Sequence, residues 1–468
     1  MRHAVVLFAR ALAKGCGKSR MGHALSCEQR TQLQHAFITD LAATMKEAQN
    51  QRPDITIVLC STTNNVPAEL QEAYQNTRWQ YLQQRGESFR ERIVNVFADV
   101  LDTGFDSCVM LGSDCIEATA QDILDACAIL EECPTVFGPS DDGGFYLAGL
   151  SAPRPDLFDI DGYGTCLALR NIAQHATELG LGCAMLRPCG DMDTLFDLQR
   201  LFAKARQTQG QTADCSTEGP WIPAATISLL HELAEQGAPV DELPVSVIVP
   251  LYNEAKGAQK LAAQLHELSL FAEIVLVDGG STDGTPELFE REFCVVRSAK
   301  GRGRQLNAGA AASHGDALFF LHADSELPEY PLEQIREVLG SYRAGCFGIS
   351  FPRSTIAMRC CQALSNFRAR HRKVMFGDQG IFIERALFEE LGGFREIALM
   401  EDYQLSLDLQ ERKIPYGICR KRIHTSDRRY KGGIIRQLVV MRKMALLRKR
   451  YRDGEDPEQL ARDYRDIR

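Results

Sequence analysis

The chain has 468 residues, of which 45% are hydrophobic and 25% charged, and its net charge is -9. That length exceeds one ordinary core and predicts two domains. The composition excludes a disordered or fibrous chain, and the acidic balance excludes a general nucleic-acid binder.

The 16 cysteines are scattered with no Cys-x-x-Cys pair, which speaks against a zinc site. The opening MRHAVVLFARALAKG puts an apolar run before a basic tail, the reverse of a secretory leader. No apolar run approaches the roughly 20 residues of a membrane span. The cysteines therefore read as reduced thiols of a cytoplasmic protein.

From the N-terminus, short runs rich in β-branched residues at 4–8, 55–59, 108–111 and 135–137 alternate with helical stretches at 27–47 and 89–101. This alternation predicts an α/β domain with a mostly parallel sheet covered on both faces. The first strand runs into FARALAKGCGKSRMG, a loop of glycines and cations entering a helix. It suits a phosphate, with Lys14, Lys18 and Arg20 as contacts, although its spacing is not that of a P-loop. Then VMLGSDCIEAT, VFGPSDDGGFYLAGL and GDMDTLFDL place carboxylates or glycines just after a strand or in a turn. Asp114, Asp191 and Asp193 are candidate metal ligands, and Asp141, Asp142, Gly143 and Gly144 candidates for a base or sugar pocket.

Over residues 1–202 these pieces resemble the glycosyltransferase-like relatives of phospholactate and molybdenum-cofactor guanylyltransferases, and GPSDDGGFYLAG is the most specific of them. Cys16, Lys18 and Ser19 depart from that family's loop, and Cys115-Ile116 stands in place of its Cys-Pro. The resemblance implies a nucleotidyltransferase-like domain, with a non-catalytic nucleotide-binding regulatory module as the alternative.

Residues 206–243 break the rhythm: QTQGQTADCSTEGPW reads as a linker, followed by a short helix at 225–235. Domains are thus expected at 1–205 and 244–468. PVSVIVPLYNE opens a second α/β series, with further strands at 274–277 and 317–321. Ligands of an open parallel sheet bind beyond the C-terminal ends of its strands. Pro250, Asn253, Glu254, Asp278, Asp283 and Asp324 fall at such ends. Arg302 and Arg304, in GRGRQLNAG, can offset diphosphate charge beside glycines that admit close approach. Asp324, in LFFLHADSEL, suits a hard divalent cation, Mg or Mn, bridging a diphosphate. Gly377, Asp378 and Gln379 shape an acceptor loop, and Glu401 and Asp402 open a helix. Singly, each piece reads as a turn, a cap or a solvated charge; their order points to a nucleotide-sugar site.

From about residue 245 onward these motifs resemble the family 2 glycosyltransferases and their GT-A fold. His322 stands where that family has the first Asp of its metal motif, and Gly279 where it often has a base-reading carboxylate. The resemblance implies inverting transfer, which needs a base to take the acceptor's proton, with Asp402 in that role and Glu401 second. Arg428 and Arg429, beside Tyr430, are expected to close over the diphosphate. The last long helix has an apolar face with a basic rim, which reads either as docked on the domain or as a peripheral contact with the inner membrane surface.

Together the halves resemble the rSAM/selenodomain-associated transferases 1 and 2, which carry an arsenosugar-biosynthesis label. The expected fold is α/β: two Rossmann-like, GT-A type domains in series, mostly parallel sheets with helices on both faces. The expected partners are a nucleotide and a nucleotide-sugar, and a membrane-surface scaffold without chemistry is the remaining alternative.

Overall fold

The computed structural model describes residues 1–9, 18–62, 79–141, 143–210, 223–351, 356–425 and 433–465. Lys14, Asp142, Arg428, Arg429 and Tyr430 lie outside the described residues. The chain divides into two units, Met1–Asp241 and Glu242–Arg468.

The first unit has a seven-stranded sheet of β1 (His3–Ala9), β2 (Ile55–Ser61), β3 (Gln80–Gln83), β4 (Ser107–Gly112), β5 (Thr135–Pro139), β6 (Phe145–Leu150) and β7 (Cys183–Met185). Their order is β3-β2-β1-β4-β6-β5-β7. Only β6 is antiparallel to its neighbours, β4 and β5. Successive strand side chains face opposite sides, so β1 feeds two cores. Val5 and Leu7 pack with Leu33, Phe37 and Leu41 of helix Cys27–Gln51, while Ala4 and Val6 pack with Ile93, Val96 and Phe97 of helix Phe89–Leu101. Capping boxes, Ser26 with Gln29 and Ser88 with Glu91, start these two helices.

The second unit repeats the plan with β8 (Val245–Leu251), β9 (Glu273–Asp278), β10 (Cys294–Arg297), β11 (Ala317–Phe320), β12 (Ala344–Ser350), β13 (Ile381–Glu384) and β14 (Gly417–His424). The order is β10-β9-β8-β11-β13-β12-β14, with β13 antiparallel to β11 and β12. Strand for strand this is the topology of the first unit. Val247 and Val249 point into one core and Ile248 into the other. Both units therefore have the expected mostly parallel sheets with helices on both faces.

Helix Leu195–Gly210 ends inside the stretch 206–243, and helix Ala224–Glu235 lies within it. The latter is folded onto the first unit. The Asp40 carboxylate of helix Cys27–Gln51 accepts the N–H groups of Ala225 (2.9 Å) and Thr226 (2.8 Å) and the Thr226 hydroxyl (2.6 Å), satisfying donors that a helix start leaves open. Ile227, Leu230 and Leu233 complete the same core as Leu33 and Phe37. Composition made 206–243 read as a linker; burial of these three side chains places residues 223–241 in the domain. Among the described residues no helix is long and apolar enough to cross a membrane.

Candidate functional site

In the second unit, loops at the C-terminal ends of β8 and β9 are tied together by polar groups. Asn253, in the left-handed region at φ 56°, donates its backbone N–H to Ser281 Oγ (2.9 Å) and accepts the Thr282 N–H at Oδ1 (2.8 Å). Glu254 N–H donates to Thr285 Oγ1 (2.9 Å), and Ala255 N–H to Asp283 Oδ2 (3.1 Å). The Thr285 hydroxyl also holds the Asp283 carboxyl below its usual range. Asp278 is buried and accepts the N–H groups of Gly280 (3.0 Å) and Ser281 (3.2 Å). In this structure Asn253, Asp278 and Asp283 therefore build the loops that border the strand ends. Pro250 lies within β8, opposite Val277.

Sequence reasoning missed Gln305. Its Nε2 donates to the carbonyls of Leu251 and Val277, both at 2.9 Å, from helix Arg302–Ala312. A Cβ at position 279 would come within 2.8 Å of its carboxamide, which accounts for glycine where the resembling family often has a carboxylate. Gln305 lies one helical turn after Arg302 and so on the same face, but that spacing carries no sign of its bonds to backbone carbonyls.

Arg302, at the start of the same helix, points to the acidic pair. Its Nη1 is 3.2 Å from Glu401 Oε1 and 4.0 Å from Asp402 Oδ2. Glu401 is the main cause that holds the guanidinium's pKa up. Burial pushes the Glu401 carboxyl up, against the pull of Arg302. Asp402 Oδ2 accepts the Gly377 N–H (2.8 Å), and Oδ1 accepts the Tyr403 N–H (2.7 Å). His322 sits against the same glycine: a Cβ on Gly377 would meet its Nε2 at 2.6 Å and Asp402 Oδ2 at 3.4 Å. The structure thus gathers Arg302, His322, Gly377, Glu401 and Asp402.

Other candidates are placed differently. Arg304 pairs with Glu396 on the surface (2.9 Å). Gln379 is buried, accepting the Phe376 N–H (3.1 Å) and donating to the Phe347 carbonyl (3.3 Å), and it sets the Gly377–Gln379 turn that carries Asp378. Asp324 follows β11, and its carboxylate has no hydrogen bond or ion pair among the described residues. It can thus serve as an oxygen ligand, although no three His, Cys, Asp or Glu among the described residues gather as a metal site. Glu326 and His424 bridge by backbone hydrogen bonds, tying the loop after β11 to the end of β14.

The C-terminal helices brace the acidic pair. Val440 and Leu447 of helix Gly433–Arg452, with Leu460 and Tyr464 of helix Pro457–Arg465, pack on Met400 and Tyr403. Tyr403 stacks on Phe376, 5.9 Å between centroids.

The first unit's counterpart lies after β4. Met192 N–H donates to the Asp114 carbonyl (2.9 Å), joining the loop after β4 to the loop of Asp191 and Asp193. The Lys18 ammonium lies between the carboxylates, 2.7 Å from Asp114 Oδ1 and 3.2 Å from Asp193 Oδ1. Arg20 reaches Asp193 Oδ2 (3.4 Å). Asp141 pairs with Arg200 (3.2 Å), which also faces Glu117 (3.5 Å), two residues sequence reasoning missed. Gly143 has φ 85°, and a Cβ there would strike the Cys166 carbonyl at 2.1 Å, so only glycine fits. The Gly144 carbonyl accepts the Ser140 N–H (3.1 Å), closing the turn.

Residues 42–165 match the family described as "Uncharacterized protein conserved in bacteria (DUF2064)", and residues 246–380 match "Glycosyl transferase family 2". Glycosyltransferase AglE of Haloferax volcanii is 25% identical over 169 residues, 32% of this chain and 55% of that protein. An undecaprenyl-phosphate 4-deoxy-4-formamido-L-arabinose transferase of Aeromonas hydrophila is 32% identical over 107 residues, 20% of this chain and 32% of that protein. The chain thus spans about half the length of the first relative and about a third of the second. Among solved structures, mannosyltransferase PcManGT of Pyrobaculum calidifontis, in complex with GDP-Man and Mn2+, is similar at 19% identity and a TM-score of 0.33, over 56% of this chain and 74% of that one. The chain therefore carries two regions in series, a first that matches the DUF2064 family and a second that matches the glycosyl transferase family 2.

Proposed function

We propose that the second unit transfers a sugar from a nucleotide-sugar to an acceptor hydroxyl with inversion at the anomeric carbon. The observation that carries this reading is the Asp402 carboxylate, held by two backbone N–H groups beside Arg302 at the C-terminal edge of the sheet. A carboxylate so oriented can take the acceptor's proton as the hydroxyl attacks. Arg302 offers positive charge to the departing diphosphate, and the Asp378 carboxylate acts on the same guanidinium. Asp324 is assigned to a divalent cation, Mg or Mn, which when bound neutralises that diphosphate. Nucleoside diphosphate release by the full chain, screened over nucleotide-sugars with Mn, tests the reading. Asp402→Asn is expected to lower the rate by roughly 10²–10⁴-fold with the fold intact, and Asp324→Ala to abolish the metal dependence. Full activity in both would sink the mechanism.

For the first unit, the Lys18–Asp114 contact favours a nucleotide-binding module over a nucleotidyltransferase, because an ammonium stands between two carboxylates that metal-assisted transfer would need. Pyrophosphate release from a nucleoside triphosphate and a sugar phosphate by an Asp324→Ala chain would reverse that choice.

The acceptor side is read as membrane-facing. Helix Ile356–Arg372 exposes Ile356, Leu364 and Phe367 at positions that recur along one face, with Arg359, Arg370 and Arg372 exposed around them. An apolar stripe with a cationic rim fits the surface of an anionic bilayer, and the name of the Aeromonas relative contains undecaprenyl phosphate. On this reading the protein works at the cytoplasmic face of a membrane.

A further inference from the structure

The two units share one topology, so Asp114 and Asp324 occupy corresponding places, each in the loop after the strand beside the first. Their carboxylates differ in what they hold. Asp324 is uncommitted among the described residues. Asp114 is committed to Lys18. The Lys18 side chain is only 3% exposed. Its ammonium has three hydrogens to give and three oxygens to receive them: Asp114 Oδ1 at 2.7 Å, the Met192 carbonyl at 2.7 Å and Asp193 Oδ1 at 3.2 Å. The Phe37 ring lies 5.2 Å away. Lys18 holds this position from a left-handed backbone, φ 53° and ψ 45°, a conformation that few non-glycine residues adopt.

Asp114 and Asp193 hold the buried ammonium between their carboxylates. A magnesium ion between the same carboxylates needs oxygens at about 2.0–2.1 Å in a near-octahedral shell. It cannot share that space with the ammonium. Admitting it would take both carboxylates from a buried cation, and a buried charge without a counter-charge is strongly disfavoured.

We infer that the Lys18 ammonium takes the place of a divalent cation in the first unit, so that this unit binds its phosphate-bearing ligand without metal. The donor set resembles a metal site by composition and is closed by the chain's own cation. The inference rests on the binding-module reading of the first unit and extends it to the absence of a metal.

The test measures Mn2+ binding by electron paramagnetic resonance on full-length chains carrying Asp324→Ala, which removes the cation ligand assigned to the second unit. With Lys18 intact, no binding that depends on Asp114 is expected. Adding Lys18→Met removes the ammonium and leaves the carboxylates facing each other; this chain is expected to gain one Mn2+, lost again with Asp114→Asn. The inference is overturned by saturable Mn2+ in the Lys18-intact chain that vanishes with Asp114→Asn, or by no gain in a folded Lys18→Met chain. Should Lys18→Met prevent folding, the Lys18-intact arms decide alone. Binding that ignores Asp114→Asn would instead count against Asp324 as the second unit's ligand, and leaves the absence of metal at Lys18 supported.

Discussion

The Asp402 carboxylate is positioned by the Gly377 amide, which donates to Oδ2 at 2.8 Å. The glycine is required by what lies on its other side. A methyl at 377 would meet His322 Nε2 at 2.6 Å, closer than real contacts allow, so the turn would move and carry the donor away from Asp402.

Gly377→Ala is therefore expected to lower the transfer rate by roughly 10²-fold, the size of effect a misplacement of about 1 Å produces. Its stability should fall by about 1–3 kcal/mol, as overpacked sites do. Steady-state kinetics and denaturant unfolding measure the two. An alanine chain with unchanged rate would show that this hydrogen bond does not position the base.

Arg302 and Glu401 form a partly buried pair, with side-chain exposures of 29% and 3%. Removing one partner leaves the other charge uncompensated, at a cost of about 3–5 kcal/mol. Arg302→Met should thus destabilise the chain strongly, and Arg302→Met with Glu401→Gln less than the sum of the single changes. A double-mutant cycle by urea unfolding is expected to give a coupling of about 1–3 kcal/mol; additivity would dissolve the pair.

In the first unit, Asp197 caps the turn after Asp193, accepting the N–H groups of Asp193 (3.0 Å) and Thr194 (2.7 Å). Burial pushes its carboxyl up from 3.8 to about 6. Between those values the folded chain keeps a proton that the unfolded chain has lost, so this group's contribution to stability falls as pH rises from about 4 to about 6. Asp197→Asn removes the titration and keeps an acceptor oxygen. The unfolding midpoint of the Asn chain relative to the Asp chain should rise across that window and level off above it. A constant difference would contradict the shift.

Leu364→Glu with Phe367→Glu puts two carboxylates on the exposed stripe of helix Ile356–Arg372. Co-sedimentation with anionic liposomes should drop several-fold, and added salt should weaken wild-type binding because the arginine rim is screened. Equal sedimentation of variant and wild type would remove the membrane from the proposal.

Strands such as β1 and β8 were legible because they are apolar runs between helices with a period of their own, from Val5 and Leu7 to Val247 and Val249, whereas short strands such as β3, β7 and β10 were not. Asp402 and Glu401 were legible as an acidic pair at a helix start. Two kinds of feature were not. Gln305 acts by donating to backbone carbonyls, which leaves no mark in a pattern of side-chain types. Lys18 sits in a loop of cations and read as a phosphate contact; that Asp114 and Asp193 surround it is a fact of long-range folding, 96 and 175 residues along the chain. The helix Ala224–Glu235 was seen, but the Asp40 carboxylate that fixes it lies far upstream.

That carboxylate decides where the chain can be cut. A fragment ending at residue 205 would lose the Ala225 and Thr226 donors, leaving Asp40 without the groups that satisfy it. It would also lay bare the side of helix Cys27–Gln51 that Ile227, Leu230 and Leu233 cover. Such a fragment would expose apolar surface and aggregate on expression. A fragment ending at Asp241 retains the helix, and limited proteolysis should find its first stable product there.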